Sequence, residues 1–253
     1  ELTDFYALLK EGKQREMFKK ELYEYVDNWE KIPKYISVFE NKIIKLYGLY
    51  KDDEVSKTEL SKQVNSILKK EEDRFNGLFH KEFCLDEQNL LKQISSNLIS
   101  KISRTREIEK QRGKLPEGDL QKNIETAFRS GFYMHFRDVM NYNGSRFPTS
   151  LPKKIANYYF IREFCYASMF RFNSSGHFNI PYGGIAYNNK DFRSKVDHIF
   201  SDEVKSLFKN TVIKNQDFEK IFKENDFTKK DFIFLDPPYD TDFSDYEKAS
   251  FDK

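Results

Sequence analysis

From residue 13 to residue 112 apolar side chains recur every three to four positions, a spacing that commits this stretch to amphipathic helices. Met17, Phe18, Leu22, Tyr25, Val26 and Trp29 share one helical face. Leu60, Val64, Ile67 and Leu68 continue the pattern, as do Leu90, Leu91, Ile94, Leu98, Ile102 and Ile108. A short helix is predicted ahead of them, with Leu2, Phe5, Leu8 and Leu9 at helical spacing and a stop at Gly12. After the turn-like "GKLPEGD", two further helical patterns cover roughly 119–141 and 153–170, separated by the Gly/Pro/Ser-rich "NYNGSRFPTSLP". No internal repeat is visible.

Beyond about residue 170 the texture changes. "RFNSSGHFNIPYGG" sets Ser-Ser-Gly between two short aromatic-bearing runs, the pattern of a β-hairpin. Val212 to Lys214 reads as a short strand, followed by an acid-bearing loop and a helix, and Phe232 to Leu235 reads as a buried strand that ends at Asp236. Strand, helix, strand implies an α/β class.

Composition narrows the function classes. With 38% apolar residues and a mean hydropathy of -0.77, the 253-residue chain reads as soluble and globular. Its 43 basic and 41 acidic side chains leave a net charge of +2, so nucleic-acid binding has to come from local patches. Two distant cysteines, Cys84 and Cys165, lack metal-ligand spacing and suit a reducing, cytoplasmic compartment. No run approaches eighteen uninterrupted apolar residues, and "ELTDFYALLK" shows neither a basic leader nor a cleavage signal. The four histidines show no ligand spacing, so no metal site is expected.

The string "IFLDPPYDTDFSDY" concentrates the chemistry. In open α/β sheets ligands gather at the carboxyl ends of strands, which is where Asp236 falls. Pro237 and Pro238 fix φ, lack N–H groups and stiffen the loop. An ionised Asp236 and the Pro237 carbonyl offer two acceptors to one exocyclic amino group, and Tyr239 offers a face for a ring to stack on. Together they suit a flipped-out purine held by its amino group, although the same four residues also make an ordinary rigid turn.

"FCYASMFRFNSSGHFNIPYGG", followed downstream by "DPPYDTDFSDY", resembles the Dam-like group of DNA adenine-N6 methyltransferases. The resemblance covers about residues 120–250. It implies a partial Rossmann-like methyltransferase sheet with a large, mainly helical target-recognition insert and a DNA-contacting β-hairpin. On that pattern residues 1–12 belong to the catalytic domain, 13–185 to the recognition region with its hairpin, and 186–253 to the catalytic-domain portion. Asp236, Pro237, Pro238 and Tyr239 would hold the target adenine. Arg171 falls at the guanine-reading position, among Tyr166, Phe172, Asn173, Asn179, Pro181, Tyr182 and Gly183, and bidentate pairing of Arg with guanine O6 and N7 is chemically sensible. The alternative is that Phe172, Phe178 and Tyr182 fill a core and Arg171 lies on a solvated face. Asp217 sits where the family has an acid contacting the adenine of S-adenosylmethionine; as an alternative it caps the helix that starts near Phe218. Ala167 and Ser168 stand where Dam itself has Asn and Gly, so Dam's own target sequence is not implied.

The resemblance also implies S-adenosylmethionine as cofactor, double-stranded DNA as substrate and a restriction endonuclease as partner system, with cytosine-N4 methylation or non-catalytic DNA binding as rivals. The family's Phe-x-Gly-x-Gly cofactor loop is absent from the sequence, so an internal fragment, inactive alone, is expected. Lys101, Arg104, Arg106, Lys110, Arg112 and Lys114 form a basic cluster that either grips phosphates or is a solvated face with Glu107 and Glu109 interleaved.

Overall fold

A computed structural model describes residues 1–10, 12–71, 78, 80–116 and 118–236. Its helices are α1 (Leu2–Leu8), α2 (Lys13–Ser37), α3 (Glu40–Lys51), α4 (Lys57–Lys70), α5 (Lys81–Cys84), α6 (Glu87–Arg112), α7 (Asp119–Asn141), α8 (Leu151–Phe164), α9 (Phe192–Ile199), α10 (Asp202–Lys209) and α11 (Phe218–Glu224). Starts are set by side-chain caps: Ser56, Asp86, Ser150, Asp191 and Ser201 each accept from the backbone N–H three residues on.

The long helices α2, α6, α7 and α8 bury their apolar stripes against one another. The seam between α6 and α7 is tightest at Gly131, where a methyl group would lie 2.4 Å from the Ile94 Cα, so only a residue without Cβ fits. An aromatic cluster fills the centre. Tyr25 lies 4.8 Å from Phe136 and 5.0 Å from Phe160, and Trp29 lies 4.2 Å from Phe164. The buried cluster runs from Phe5 in α1 to Phe200 after α9.

Two buried polar groups tie these helices together. Helix α2 continues through Pro33, which cannot donate to the Trp29 carbonyl one turn back. Arg129 of α7 takes that acceptor through Nη1 at 3.1 Å, lays its guanidinium over the Trp29 ring at 4.4 Å and donates from Nε to Glu125 at 2.7 Å. His135 of α7 is fully buried, with Nε2 2.7 Å from the Cys84 carbonyl and Nδ1 3.0 Å from Asn89 Nδ2. Only the tautomer protonated on Nε2 satisfies both, because the carbonyl must accept and the amide must donate. Burial lowers its pKa to about 4, so the ring is neutral.

The expected α/β class, with a partial Rossmann-like sheet, is not what the described residues form. Among the described residues there is no strand and no sheet, only the isolated bridges Asn143–Phe147, Cys165–Tyr182 and Phe172–Phe178. The runs at Val212–Lys214 and Phe232–Leu235 carry strand-type side chains but have no neighbouring strand among the described residues, and without a ladder partner such a run gains nothing from extended pairing. The expected hairpin reduces to a turn with a single antiparallel bridge, beyond which the Asn179 N–H reaches the Arg171 carbonyl only at 3.5 Å. No helix among the described residues is long and apolar enough to cross a membrane.

Candidate functional site

Helix α8 ends where Cys165 adopts extended backbone. A 3-10 turn, Tyr166–Ser168, follows, in which Ala167 and Ser168 both have φ of 53°. Two successive non-glycine residues in the left-handed region are costly and persist only when their surroundings hold them. Here Ser168 N–H donates to the Cys165 carbonyl at 3.2 Å, Met169 N–H to the Tyr166 carbonyl at 3.1 Å, and Ala167 N–H to Tyr187 Oη at 3.1 Å. The base of the loop is closed by Tyr166 N–H donating to the Pro181 carbonyl at 2.9 Å and Gly183 N–H to the Phe164 carbonyl at 3.0 Å.

The tip is shaped by Asn173. Its Oδ1 accepts from the N–H groups of Ser175 at 3.1 Å and His177 at 2.9 Å, and Gly176, at φ of 74°, lets the chain turn back. The returning arm is gripped by three side chains of α7 spaced four residues apart. Tyr133 donates to the Ile180 carbonyl at 3.0 Å, Arg137 Nη1 to the Asn179 carbonyl at 3.3 Å, and Asn141 both donates to the Phe178 carbonyl at 3.0 Å and accepts from its N–H at 2.8 Å. Sequence reasoning missed these three. Their signal is a row of hydrogen-bonding tips at i, i+4 and i+8 on a helix whose neighbouring positions are apolar.

Tyr166, Arg171, Asn173, Asn179 and Pro181 are exposed along this loop, and the Arg171 guanidinium makes no ion pair or hydrogen bond with another described residue. Phe172 is half-buried, with its ring 5.8 Å from that of Phe178. Tyr182 is a core residue: it is buried beside Trp29 and Phe164, and its hydroxyl donates to Asn188 Oδ1 at 2.9 Å. Burial raises the pKa of the Tyr133 and Tyr182 hydroxyls, so both remain donors. Gly183 is half-buried beneath the Tyr187 ring. The loop thus turns Phe178, Ile180 and Tyr182 inward and leaves Arg171, Asn173 and Asn179 to solvent, with Tyr166, Met169 and Pro181 exposed beside them.

Asp217 and Asp236 lie apart from this loop in sequence and in setting. No residue of 211–236 is buried, and the core with the side chains packed on it ends at Phe208. Asp217 is exposed and caps α11, its Oδ1 accepting from Glu219 N–H at 2.8 Å. That is the capping role weighed above. Asp236 is exposed, and Pro237, Pro238 and Tyr239 lie outside the described residues.

Half of the basic cluster is committed within the protein. Arg106 pairs with Asp53 and lies 4.5 Å over the Tyr50 ring, Lys110 lies 3.7 Å from Asp53, and Arg104 lies 3.6 Å from Glu107. Among the described residues no group of His, Cys, Asp and Glu is arranged to hold a metal ion.

Comparison with known proteins decides the family. The sequence pattern of the D12 class N6 adenine-specific DNA methyltransferases matches residues 86–253. The chain belongs to this family. Among its relatives, the type II methyltransferase M.CviBI of Paramecium bursaria Chlorella virus NC1A is 38% identical over 100 residues, which cover 39% of this chain and 35% of the relative. The type II methyltransferase M.MjaIII of Methanocaldococcus jannaschii is 31% identical over 138 residues, 51% of this chain and 43% of the relative. The Retron Ec67 DNA adenine methylase of Escherichia coli is 29% identical over 169 residues, 64% of this chain and 48% of the relative. The chain therefore spans less than half the length of each of these relatives. No solved structure matches it significantly. Membership in a D12 methyltransferase family implies a methyl donor.

Proposed function

We propose that this chain carries the DNA-recognition and base-holding part of an adenine-N6 methyltransferase that acts on a specific sequence in double-stranded DNA. The observation that carries this reading is the span of the family pattern, residues 86–253, which takes in both the loop 166–182 and the Asp-Pro-Pro-Tyr string. Arg171, exposed and without an ion pair among the described residues, on a loop gripped by α7, supports it, because a base-reading side chain has to be free while its backbone is fixed.

In this reading Arg171 pairs with guanine O6 and N7, and Tyr166, Asn173, Asn179 and Pro181 lie against the duplex beside it. Phe172, Tyr182 and Gly183 shape the loop from within. The adenine leaves the stack at a cost of a few kcal/mol. Asp236 and the Pro237 carbonyl accept hydrogen bonds from its amino group, Pro238 keeps that pair stiff, and Tyr239 stacks on the ring. The carboxylate stabilises positive charge that develops on N6, a charge-assisted interaction that strengthens as water is excluded. S-adenosylmethionine supplies the methyl group, and the loop 166–182 contributes to the DNA side of the reaction. A restriction endonuclease with the same target sequence is the expected partner system.

The test is to incubate the full-length protein with duplex DNA and methyl-labelled S-adenosylmethionine, then digest the DNA to nucleosides. Label in N6-methyladenine is the expected result. Label in N4-methylcytosine, or none while DNA is bound, overturns the reading.

A further inference from the structure

We infer that Tyr187 is a positioning residue for sequence recognition: its clamped ring and its hydroxyl hold the left-handed pair Ala167–Ser168, and thereby fix how Arg171 leaves the loop. The inference rests on the reading of residues 166–182 as the DNA-reading loop.

The backbone beneath Tyr187 is anchored first. It belongs to a 3-10 turn, Ile185–Tyr187, with its N–H donating to the Gly184 carbonyl at 2.9 Å. The next residue, Asn188, is buried; its Nδ2 donates to Thr126 Oγ1 of α7 at 3.0 Å while its Oδ1 accepts from Tyr182 at 2.9 Å. The turn is thereby pinned to the helix that grips the returning arm of the loop.

The ring is anchored next. A methyl group at Gly183 would lie 2.4 Å from Tyr187 Cδ2 and 2.5 Å from both Cδ1 and Cε2, so the ring lies face-on against a backbone that has no Cβ. The Lys190 ammonium lies 4.1 Å from the ring centroid and donates to the Glu163 carbonyl at 2.5 Å, which ties the ring to the last turn of α8. A ring held in this way delivers its hydroxyl to one place, 3.1 Å from the Ala167 N–H.

That place is where the loop is least stable by itself. Gly or Asn adopts positive φ readily, whereas Ala and Ser do not, and here Ala and Ser occupy two such positions in succession. Among the described residues the Tyr187 hydroxyl makes the one side-chain hydrogen bond to the backbone of residues 166–168. Arg171 follows three residues later; its carbonyl accepts from Asn179 N–H only at 3.5 Å, and its guanidinium makes no hydrogen bond or ion pair with another described residue. Release of the turn therefore re-aims Arg171 while the arm gripped by α7 stays in place.

Tyr187→Phe keeps the ring over Gly183 and removes only the oxygen. In this chain the Ala167 amide should then exchange with solvent about fivefold faster, the effect of one lost hydrogen bond. In the full-length protein, discrimination between the cognate site and a site with its guanine replaced should fall about tenfold in kcat/KM, with the loss expressed in KM for DNA rather than in kcat. Adding Ala167→Gly and Ser168→Gly to Tyr187→Phe should restore discrimination, because glycine takes positive φ without help and brings no side chain that could itself touch a base. Arg171→Ala in the same assay separates the two levels of the argument. If Arg171→Ala relaxes discrimination and Tyr187→Phe does not, or if the added substitutions fail to rescue, the role of Tyr187 is refuted. If Arg171→Ala also leaves discrimination intact, the reading of the loop itself falls, and the inference with it.

Discussion

The helical body and the segment 211–236 use similar apolar side chains to opposite ends. In the body Phe132, Phe136, Phe160 and Phe164 are fully buried, and the polar groups of Arg129, His135 and Asn157 that lie among them are hydrogen-bonded. In 211–236, Val212, Phe232 and Phe234 are 79%, 89% and 78% exposed. An amphipathic helix satisfies its backbone internally and needs only another helix to cover its stripe, which the chain supplies within a few dozen residues. A strand-type run needs a partner for its backbone as well as for its side chains. Apolar content thus becomes stability only where the chain also supplies the partner its secondary structure requires.

The comparison is broken most severely at the α6–α7 seam. Gly131→Ala places a methyl group 2.4 Å from the backbone of Ile94, where no flexible side chain is available to yield. A loss of about 3 kcal/mol or more in denaturant unfolding is expected, toward the upper end of overpacking costs. A loss below about 1 kcal/mol would show that the two helices separate easily and that the body is less tightly specified than 211–236 makes it look. Next comes Arg129→Ala, which orphans the Trp29 carbonyl left open by Pro33 and deprives Glu125 of its partner. A loss of about 2–3 kcal/mol is expected. Restoring an N–H with Pro33→Ala should recover part of that loss in the double variant, and strict additivity would sever the link between them.

These dependencies explain what could be read in advance. The helices over 119–141 and from residue 13 to 112 were legible because 3.6-residue periodicity is a local signal, and Asp119–Asn141 is observed where it was expected. The turn at Ser-Ser-Gly was legible from its residue types, but Arg171 and Asn173 beside it were expected in a hairpin strand and lie in a loop instead. Tyr187 and Asn188 were not, since they act on Ala167, 20 residues away, and on Thr126, 62 residues away, and neither contact leaves a mark in the local pattern. Strands at 212 and 232 were read from side-chain type alone, which does not reveal whether a neighbouring strand exists. Asp217 illustrates the same limit, because its position before a helix is compatible with a cap and with a ligand contact, and of the two the structure shows the cap.

Acid should separate the regions at a smaller scale. His135 is faced by Asn89 and Asp86 from the start of α6, by Asp138 from its own helix, and by Arg146 from the following loop. Burial lowers its pKa from 6.5 to about 4 in the folded state. Between those values the unfolded chain binds more protons, so the stabilisation is fully present above pH 6.5 and is lost as pH falls toward 4. About 2 kcal/mol should be gone at pH 5. Glu109, held near a pKa of about 2 because hydrogen bonds from Lys51, Tyr47 and the Leu115 N–H outweigh its burial, acts only below pH 4.5, whereas burial raises the Glu24 carboxyl, whose protonation above pH 4.5 works against the loss from His135. His135→Gln should flatten the profile between pH 6.5 and 5. An unchanged slope would mean that another group carries it.

The smallest effect on stability is expected where the apolar side chains are most exposed. Phe232 and Phe234 keep most of their surface in water, so replacing both with serine removes almost no buried area. Thermal unfolding of the body should move by no more than about 0.5 kcal/mol, the ordinary range for surface changes. Solution behaviour should respond more strongly, because Phe232, Phe234 and Leu235 stand exposed in one short stretch that has no secondary structure and no strand partner among the described residues, a combination that favours chain-to-chain association. Sedimentation velocity over a concentration series should show the unsubstituted chain associating and the Phe232→Ser, Phe234→Ser variant remaining at lower mass. Each readout tests a different half of the comparison. A monomeric parent chain would show that the exposed run is not self-adhesive. A loss of more than about 1 kcal/mol in the double variant would show that the segment packs on the helical body in solution, and the contrast between the two regions would then be one of degree.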